Sequence, residues 1–295
     1  MSDFPLPKPT AGPKDRNAGR ECTEVWNGNG PIHNAISVPG IDVWASSDPF
    51  HGAVRGGDVH YVSICEGGSL SRFAVMDVAG HGAAANELGR RLRSLLRKHV
   101  GILNQAELAR AINRDLIRQM GDRFSGQFAT ALLTAYDAAT DQLIICNAGH
   151  PRPIWFNATA GRWGLLDAGT KSKTLPMHNL PLGISDRTHY QQFAVPLDKG
   201  DLVLLYTDSL IEAIGPRGRR LGEHGLLDLV NTMDPRLPER LNDAILTAVA
   251  EFRGGAPAQD DERLLVLHHN AAYPFLEADD VIGPPTAESV GLTAA

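Results

Sequence analysis

The sequence predicts a layered α/β sandwich built mainly from antiparallel sheet with packed helices. Three observations predict it: apolar runs that pair as hairpins, helical stretches inserted between them in blocks, and strands that are apolar on both faces. The hairpin signal is clearest at VHYVSIC (Val59–Cys65) and LSRFAVMDV (Leu70–Val78), which flank Glu66-Gly67-Gly68-Ser69. A Gly-Gly pair between two such runs leaves both turn residues free to adopt positive φ.

The remaining elements follow in chain order. Ala83 to His99 reads as a helix, because Ala84, Leu88, Leu92, Leu95 and Leu96 recur at the spacing of one buried stripe. Gln105–Met120 repeats that pattern with Leu108, Ile112 and Leu116. Ala129–Tyr136 and Gln142–Ala148 read as strands joined by a polar turn around Ala139–Asp141. Leu202–Thr207 is a further strand, Gly222–Val230 and Leu241–Phe252 are helices, and Leu264–Leu267 is the closing strand.

The 295 residues are 43% hydrophobic and 21% charged, a composition that suits a globular protein with a sizeable core. One domain is expected over residues 30–271, between an N-terminal tail (1–29) rich in Pro, Gly and charge and a C-terminal tail (272–295) without periodicity. Lys and Arg total 28 against 34 Asp and Glu, and the net charge of −6 argues against a nucleic-acid partner. No apolar stretch approaches a membrane span, the longest compact run being Leu202–Tyr206, so no membrane partner is expected. The N-terminus lacks the apolar core of a secretory signal, and a cytoplasmic location is expected. Cys22, Cys65 and Cys146 are too few and too scattered for a disulfide framework or a zinc site. Cys65 and Cys146 lie in apolar strands and read as packed thiols.

The hairpin makes a geometric prediction. If Gly67-Gly68 form the two-residue turn, Val62 faces Phe73, His60 faces Val75, and Asp58 faces Asp77. Directly opposed carboxylates about 5 Å apart repel by roughly 3 kcal/mol at an effective dielectric near 20. Either one of them is protonated or a cation lies between them. Two further acidic positions have the same character. Asp208 ends the apolar strand Leu202–Thr207, and Asp260-Asp261 immediately precede Leu264–Leu267. Taken singly, each reads equally well as a turn or helix-cap residue. As a set they form an oxygen-only cluster suited to Mg²⁺ or Mn²⁺, and several carboxylates suggest a pair of ions of the kind used for displacement at phosphorus.

Seven motifs then occur in order: Gly56–Asp58 (GGD), Met76–Gly82 (MDVAGHG), Phe128–Leu133 (FATALL), Asn147–Pro153 (NAGHPRP), Leu180–Ile184 (LPLGI), Gly200–Ala213 (GDLVLLYTDSLIEA) and Asp260–Leu267 (DDERLLVL). This series, over about 39–267, resembles the bacterial SpoIIE-like (RsbU-like) branch of the PPM metal-dependent serine/threonine protein phosphatases. The resemblance implies a four-layer α-β-β-α sandwich of two mainly antiparallel sheets, with two Mn²⁺ or Mg²⁺ ions at one end. It implies that Asp77 bridges both metals, that Asp58 and the Val78 carbonyl bind the second, and that Asp208 and Asp260 complete the first. The implied reaction is hydrolysis of phosphoserine or phosphothreonine on a partner protein, often an anti-sigma factor antagonist, by a metal-bridging hydroxide. No nucleophilic Cys or Ser is required. With only about 30 residues ahead of the domain, any sensory input is expected from a separate regulatory protein, the tails or oligomerisation.

The chain departs from the family pattern in two places. Ser209 stands where the family has Gly after Thr-Asp, and Arg263 stands where it has Thr after Asp-Asp-x. Ser209 is expected to alter the turn if positive φ is needed there, and Arg263 either salt-bridges a site acid or points to solvent. These departures support the alternative of a degenerate phosphatase domain that binds a phosphoprotein without turnover. Other readings fail on the residues: Val59-His60 replace the Glu-Phe of a GGDEF loop, and Cys65 has Ser71 where a cysteine phosphatase needs Arg. His81 and His150 are read as bonding neighbouring loops rather than as acid–base catalysts. Arg90, Arg91, Arg93, Arg97 and Lys98 are read as a solvated helix face.

Overall fold

The computed structural model describes residues 22–48, 56–65, 68–80, 82–120, 126–167 and 179–273. The expected tails therefore lie largely outside the described residues, as does His81. Twelve strands form two sheets of six among them. The first sheet has the order β1 (Cys22–Gly28), β4 (Val59–Cys65), β5 (Leu70–Val78), β6 (Ala129–Asp137), β7 (Gln142–Ala148), β10 (Gln192–Pro196). The second has the order β2 (Ile32–Val38), β3 (Ile41–Asp48), β12 (Glu262–His269), β11 (Leu202–Tyr206), β8 (Ile154–Asn157), β9 (Arg162–Leu165). Every strand pairing in both sheets is antiparallel.

Alternation along the strands builds the layers. Val62, Phe73, Val75, Leu132 and Ile145 of the first sheet meet Val43, Val203, Leu205 and Leu267 of the second in a central core. The intervening residues of the first sheet, among them Val59, Met76 and Leu133, face outward onto α1 (Ala83–His99) and α2 (Gln105–Met120). Outward residues of the second sheet, Leu204, Leu264 and Val266, are covered by α4 (Gly222–Val230) and α5 (Pro238–Phe252), with the short α3 (Asp208–Ile211) at their end. The result is the predicted α-β-β-α sandwich. Both faces of β4 and β5 are buried, as their two-sided apolarity requires. Each fully buried Leu, Ile or Phe in these layers contributes about 1.5–3 kcal/mol.

The hairpin register is the predicted one: His60 pairs with Val75 and Val62 with Phe73. Two features at the N-terminal edge differ from the sequence expectation. Residues 22–28, assigned to the N-terminal tail, form β1 on the edge of the first sheet beside β4. Their alternation is interrupted by a register shift between Glu24 and Trp26, which breaks the strand signature. The second difference follows from the first. Cys22 pairs with Cys65 across β1 and β4, and the two form a disulfide. Cys65 is therefore not a packed thiol, whereas Cys146 is free and buried as expected. Without β1 the pairing had no visible partner. Among the described residues no helix is long and apolar enough to cross a membrane.

Candidate active site

Both sheets deliver acids to the same end of the sandwich. Asp58 immediately precedes β4 and Asp77 is the penultimate residue of β5, so the hairpin register sets them side by side. Val78 closes β5 next to Asp77. In the second sheet Tyr206 pairs with Leu264, which brings the chain leaving β11 at Asp208 beside the chain entering β12 at Asp260. The Asp77 carboxyl is close enough to both Asp58 and Asp208 for each to act on its ionisation. One side chain thus joins the acids of the two sheets. Among the described residues no three His, Cys, Asp or Glu side chains converge closely on one point; the acids meet in pairs through Asp77.

Burial and mutual repulsion raise Asp77, Asp58 and Asp208 above the ordinary carboxyl range. Burial pushes Asp77 up to about 8, helped by the negative charges of Asp208 and Asp260. Asp58 is raised well above the ordinary carboxyl range, first by burial and then by Asp77, while Arg263 acts to lower it. Burial also raises Asp208. Protons shared between neighbouring carboxyls are the alternative to a cation that the sequence left open. The donor chemistry fits divalent hard cations: carboxylate oxygens, no sulfur, and more negative charge than the local cations balance.

The loop before β4 is built for close approach. The N–H of Asp58 donates to Asp261 Oδ2 at 3.2 Å, and Asp261 is 3% exposed. A Cβ on Gly56 would stand 1.8 Å from that same Oδ2, so only glycine admits the Asp261 carboxylate. Asn29 holds Gly56 from the other side, accepting its N–H at the backbone carbonyl and donating Nδ2–H to its carbonyl oxygen. Asp261 accordingly supports Asp58 through the backbone. The family resemblance assigned only Asp260 of the two consecutive acids, and the supporting contact of Asp261 was not expected from the sequence.

His150 serves structure, as the sequence reading favoured. Its Nε2–H donates to the Tyr206 carbonyl at 2.9 Å, which leaves Nδ1 to accept from the Thr130 hydroxyl at 2.7 Å. Burial drives its imidazole down to about 4, so it stays neutral. Asn147 fixes the turn, accepting the His150 N–H and donating to the His150 carbonyl, both at 2.8 Å. Ser209 raises no conformational difficulty. It lies inside α3, outside the positive-φ region, with its hydroxyl 3.1 Å from that of Thr207. The basic face of α1 is largely paired: Arg90 and Arg91 bind Glu87, Arg97 binds Glu24, and Lys98 binds Asp115.

Arg263 does not point to solvent. It is completely buried, and its guanidinium reaches from β12 across to the first sheet. Nη1 donates to Ser47 Oγ on β3 and to His60 Nδ1 on β4, the latter at 2.8 Å. Nε stands 3.8 Å from Asp58 Oδ2. His60, desolvated and facing this cation, is lowered to about 3 and remains a neutral acceptor.

Comparison with known proteins agrees with this architecture. A family model described as Stage II sporulation protein E (SpoIIE) matches residues 68–270. The phosphoserine phosphatase RsbP of Bacillus subtilis (strain 168) is 22% identical over 239 residues, covering 79% of this chain and 55% of RsbP. The chain thus spans little more than half the length of that relative. The RsbU and RsbW domains of Rv1364c from Mycobacterium tuberculosis superpose with a TM-score of 0.67 at 25% identity, over 83% of this chain and 64% of that one. RsbX, solved in complex with magnesium, has a TM-score of 0.56 at 16% identity, over 80% of this chain and 99% of RsbX, a likeness of fold.

Proposed function

Because the chain belongs to the Stage II sporulation protein E (SpoIIE) family, we propose that it is a metal-dependent phosphatase acting on phosphoserine or phosphothreonine of a partner protein. The observation that carries the reading is the Asp77 carboxyl set between Asp58 and Asp208, one acid shared by two sheets. In this reading Asp77 is common to two ions, Asp58 and the Val78 carbonyl serve one, and Asp208 and Asp260 serve the other. Two Mn²⁺ or Mg²⁺ ions, when bound, supply Lewis acidity at phosphorus and lower the pKa of water. The chain's own task is to present the four carboxylates ionised and fixed. Asp261 anchors the Asp58 backbone, and His150 ties β6, the neighbour of the Asp77 strand, to β11, which leads into Asp208. RsbX in complex with magnesium supports the choice of a hard divalent ion. The phosphoserine phosphatase RsbP supports the substrate class. The partner we propose is a phosphorylated anti-sigma factor antagonist.

One observation favours the second reading, a domain that binds a phosphoprotein without turnover: Arg263 already stands beside Asp58. Phosphate release from a phosphoserine peptide, with Mn²⁺ and again with EDTA, separates the two. The phosphatase reading expects turnover with Mn²⁺ that chelator abolishes, and loss of both Mn²⁺ binding and turnover in Asp77→Asn. Full turnover in that variant would sink the mechanism.

A further inference from the structure

A buried arginine is rare because removing a guanidinium from water costs several kcal/mol unless its donors are paired. Arg263 is paired on one side only. Nη1 is fully used by Ser47 and His60, whereas Nε and Nη2 make no hydrogen bond among the described residues. Those two atoms form the edge of the guanidinium that grips a carboxylate with two parallel N–H bonds. The nearest acid to that edge is Asp58, at 3.8 Å, itself buried and crowded by Asp77, Asp260 and Asp261. The backbone does not let Arg263 leave. Its N–H donates to Thr207 Oγ1 and its carbonyl accepts from the Thr207 N–H, both at 3.1 Å, at the end of the β11–β12 pairing next to Asp208.

We infer that Arg263 is a built-in cation of the acidic site, which holds Asp58 in the metal-free protein and competes with a divalent ion on the Asp58 side. This rests on the metal reading above and adds an asymmetry to it. An ion entering between Asp77, Asp208 and Asp260 meets acids whose one cationic neighbour, Arg220, is an exposed side chain already paired with Glu212. An ion entering at Asp58 meets a site that already carries one positive charge, fixed to the scaffold by Ser47 and His60. The chain therefore has one strong and one weak divalent site, and its metal-free form keeps its sheets joined at this end.

The test uses Mn²⁺ alone on the full chain, by titration calorimetry, with melting in EDTA as an independent readout. Wild type is expected to bind Mn²⁺ in two classes of unequal affinity. Arg263→Met removes the charge and keeps the length; it should tighten the weak class by about ten- to a hundredfold, since an opposed unit charge at such range is worth that much. Arg263→Lys, which keeps the charge, should not tighten it. In EDTA, Asp58→Asn should lower the melting temperature of wild type more than that of the Arg263→Met background. If Arg263→Met does not fold, Arg263→Gln, which keeps a donor for Ser47 and His60, takes its place. Unchanged Mn²⁺ binding in the charge-removed variant, with wild type binding normally, overturns the inference and leaves the metal reading standing. Absence of Mn²⁺ binding in wild type and variant alike overturns both.

Discussion

Thr130 donates its hydroxyl proton to Nδ1 of His150 across 2.7 Å, and this short bond ties the two sheets beside the acids. Thr130 stands directly opposite Asp77 in the β5–β6 ladder. On its other side His150 donates to the carbonyl of Tyr206, two residues before Asp208. The imidazole is thus a strut between the strand neighbouring Asp77 and the strand that delivers Asp208.

His150→Ala should therefore act twice. It leaves the Tyr206 carbonyl without its donor and opens a cavity, for a loss of about 2–4 kcal/mol in chemical denaturation. It should also weaken Mn²⁺ binding, because the spacing of Asp77 and Asp208 is no longer fixed. Thr130→Val, which keeps the volume but removes the hydroxyl, should show a smaller loss of the same kind, about 1 kcal/mol. Loss of stability with fully retained Mn²⁺ affinity in His150→Ala would separate the strut from the site.

The raised Asp77 carboxyl gives the metal-free protein an unusual pH dependence. Asp77 is raised to about 8, so the stability it contributes is present at low pH and is lost as pH rises through that value. His150 and His60 are lowered to about 4 and about 3, so their contribution is present at neutral pH and lost on acidification below about 6.5. The two trends oppose each other in mildly acid solution. Above pH about 6.5 the contributions of His150 and His60 are fully present, and the Asp77 proton makes stability in EDTA fall toward pH 8 by about 1.4 kcal/mol per pH unit. Excess Mn²⁺ should remove that fall, and Asp77→Asn should reduce it. Urea midpoints from pH 6 to 8.5, with EDTA and with Mn²⁺, measure it. A flat metal-free profile would show that Asp77 is already ionised at neutral pH.

Gly56 offers a purely steric test of the loop that carries Asp58. Gly56→Ala places a methyl group 1.8 Å from Asp261 Oδ2, a contact that no rotation of the alanine relieves. The Asp261 carboxylate must move, and the Asp58 N–H then loses its acceptor. The expected cost is about 1–3 kcal/mol in stability for an unsatisfied buried donor. Weaker Mn²⁺ binding should accompany it, because Asp58 shifts with its backbone. Wild-type Mn²⁺ affinity in Gly56→Ala would mean that Asp58 is positioned without Asp261.

What could be read in the sequence divides along physical lines. The β4–β5 register was legible because a Gly-Gly pair in the sequence signals a two-residue turn between two apolar runs, and the pairing that follows predicts Asp58 against Asp77. β2 was not legible: His33, Asn34 and Ala35 are exposed on an edge strand, and their side chains carry no burial pattern. β8 and β9 span four residues each, too few to show a period. Arg263 was the hardest case. An arginine in an apolar strand gives no sign of whether it turns outward or inward, and here the paired register with Ser47 and the nearby His60 settles the direction.

The Cys22–Cys65 bond can be checked without reference to the active site. Cys65 is the last residue of β4 and Asp58 precedes the first, so the disulfide and the acids lie at opposite ends of one seven-residue strand, about 20 Å apart. Of the three cysteines, the denatured but unreduced chain should expose one reactive thiol, that of Cys146, and three after reduction. Cys22→Ser should lower stability by about 2–4 kcal/mol, the range for a closed loop of this size, and leave Mn²⁺ binding and phosphatase turnover unchanged. Thiol trapping in the source cells adds a second reading. A reducing cytoplasm would hold both cysteines as thiols, in which case β1 keeps its place through its ladder with β4 alone. An oxidised pair in freshly trapped protein would contradict the cytoplasmic expectation drawn from the N-terminal sequence.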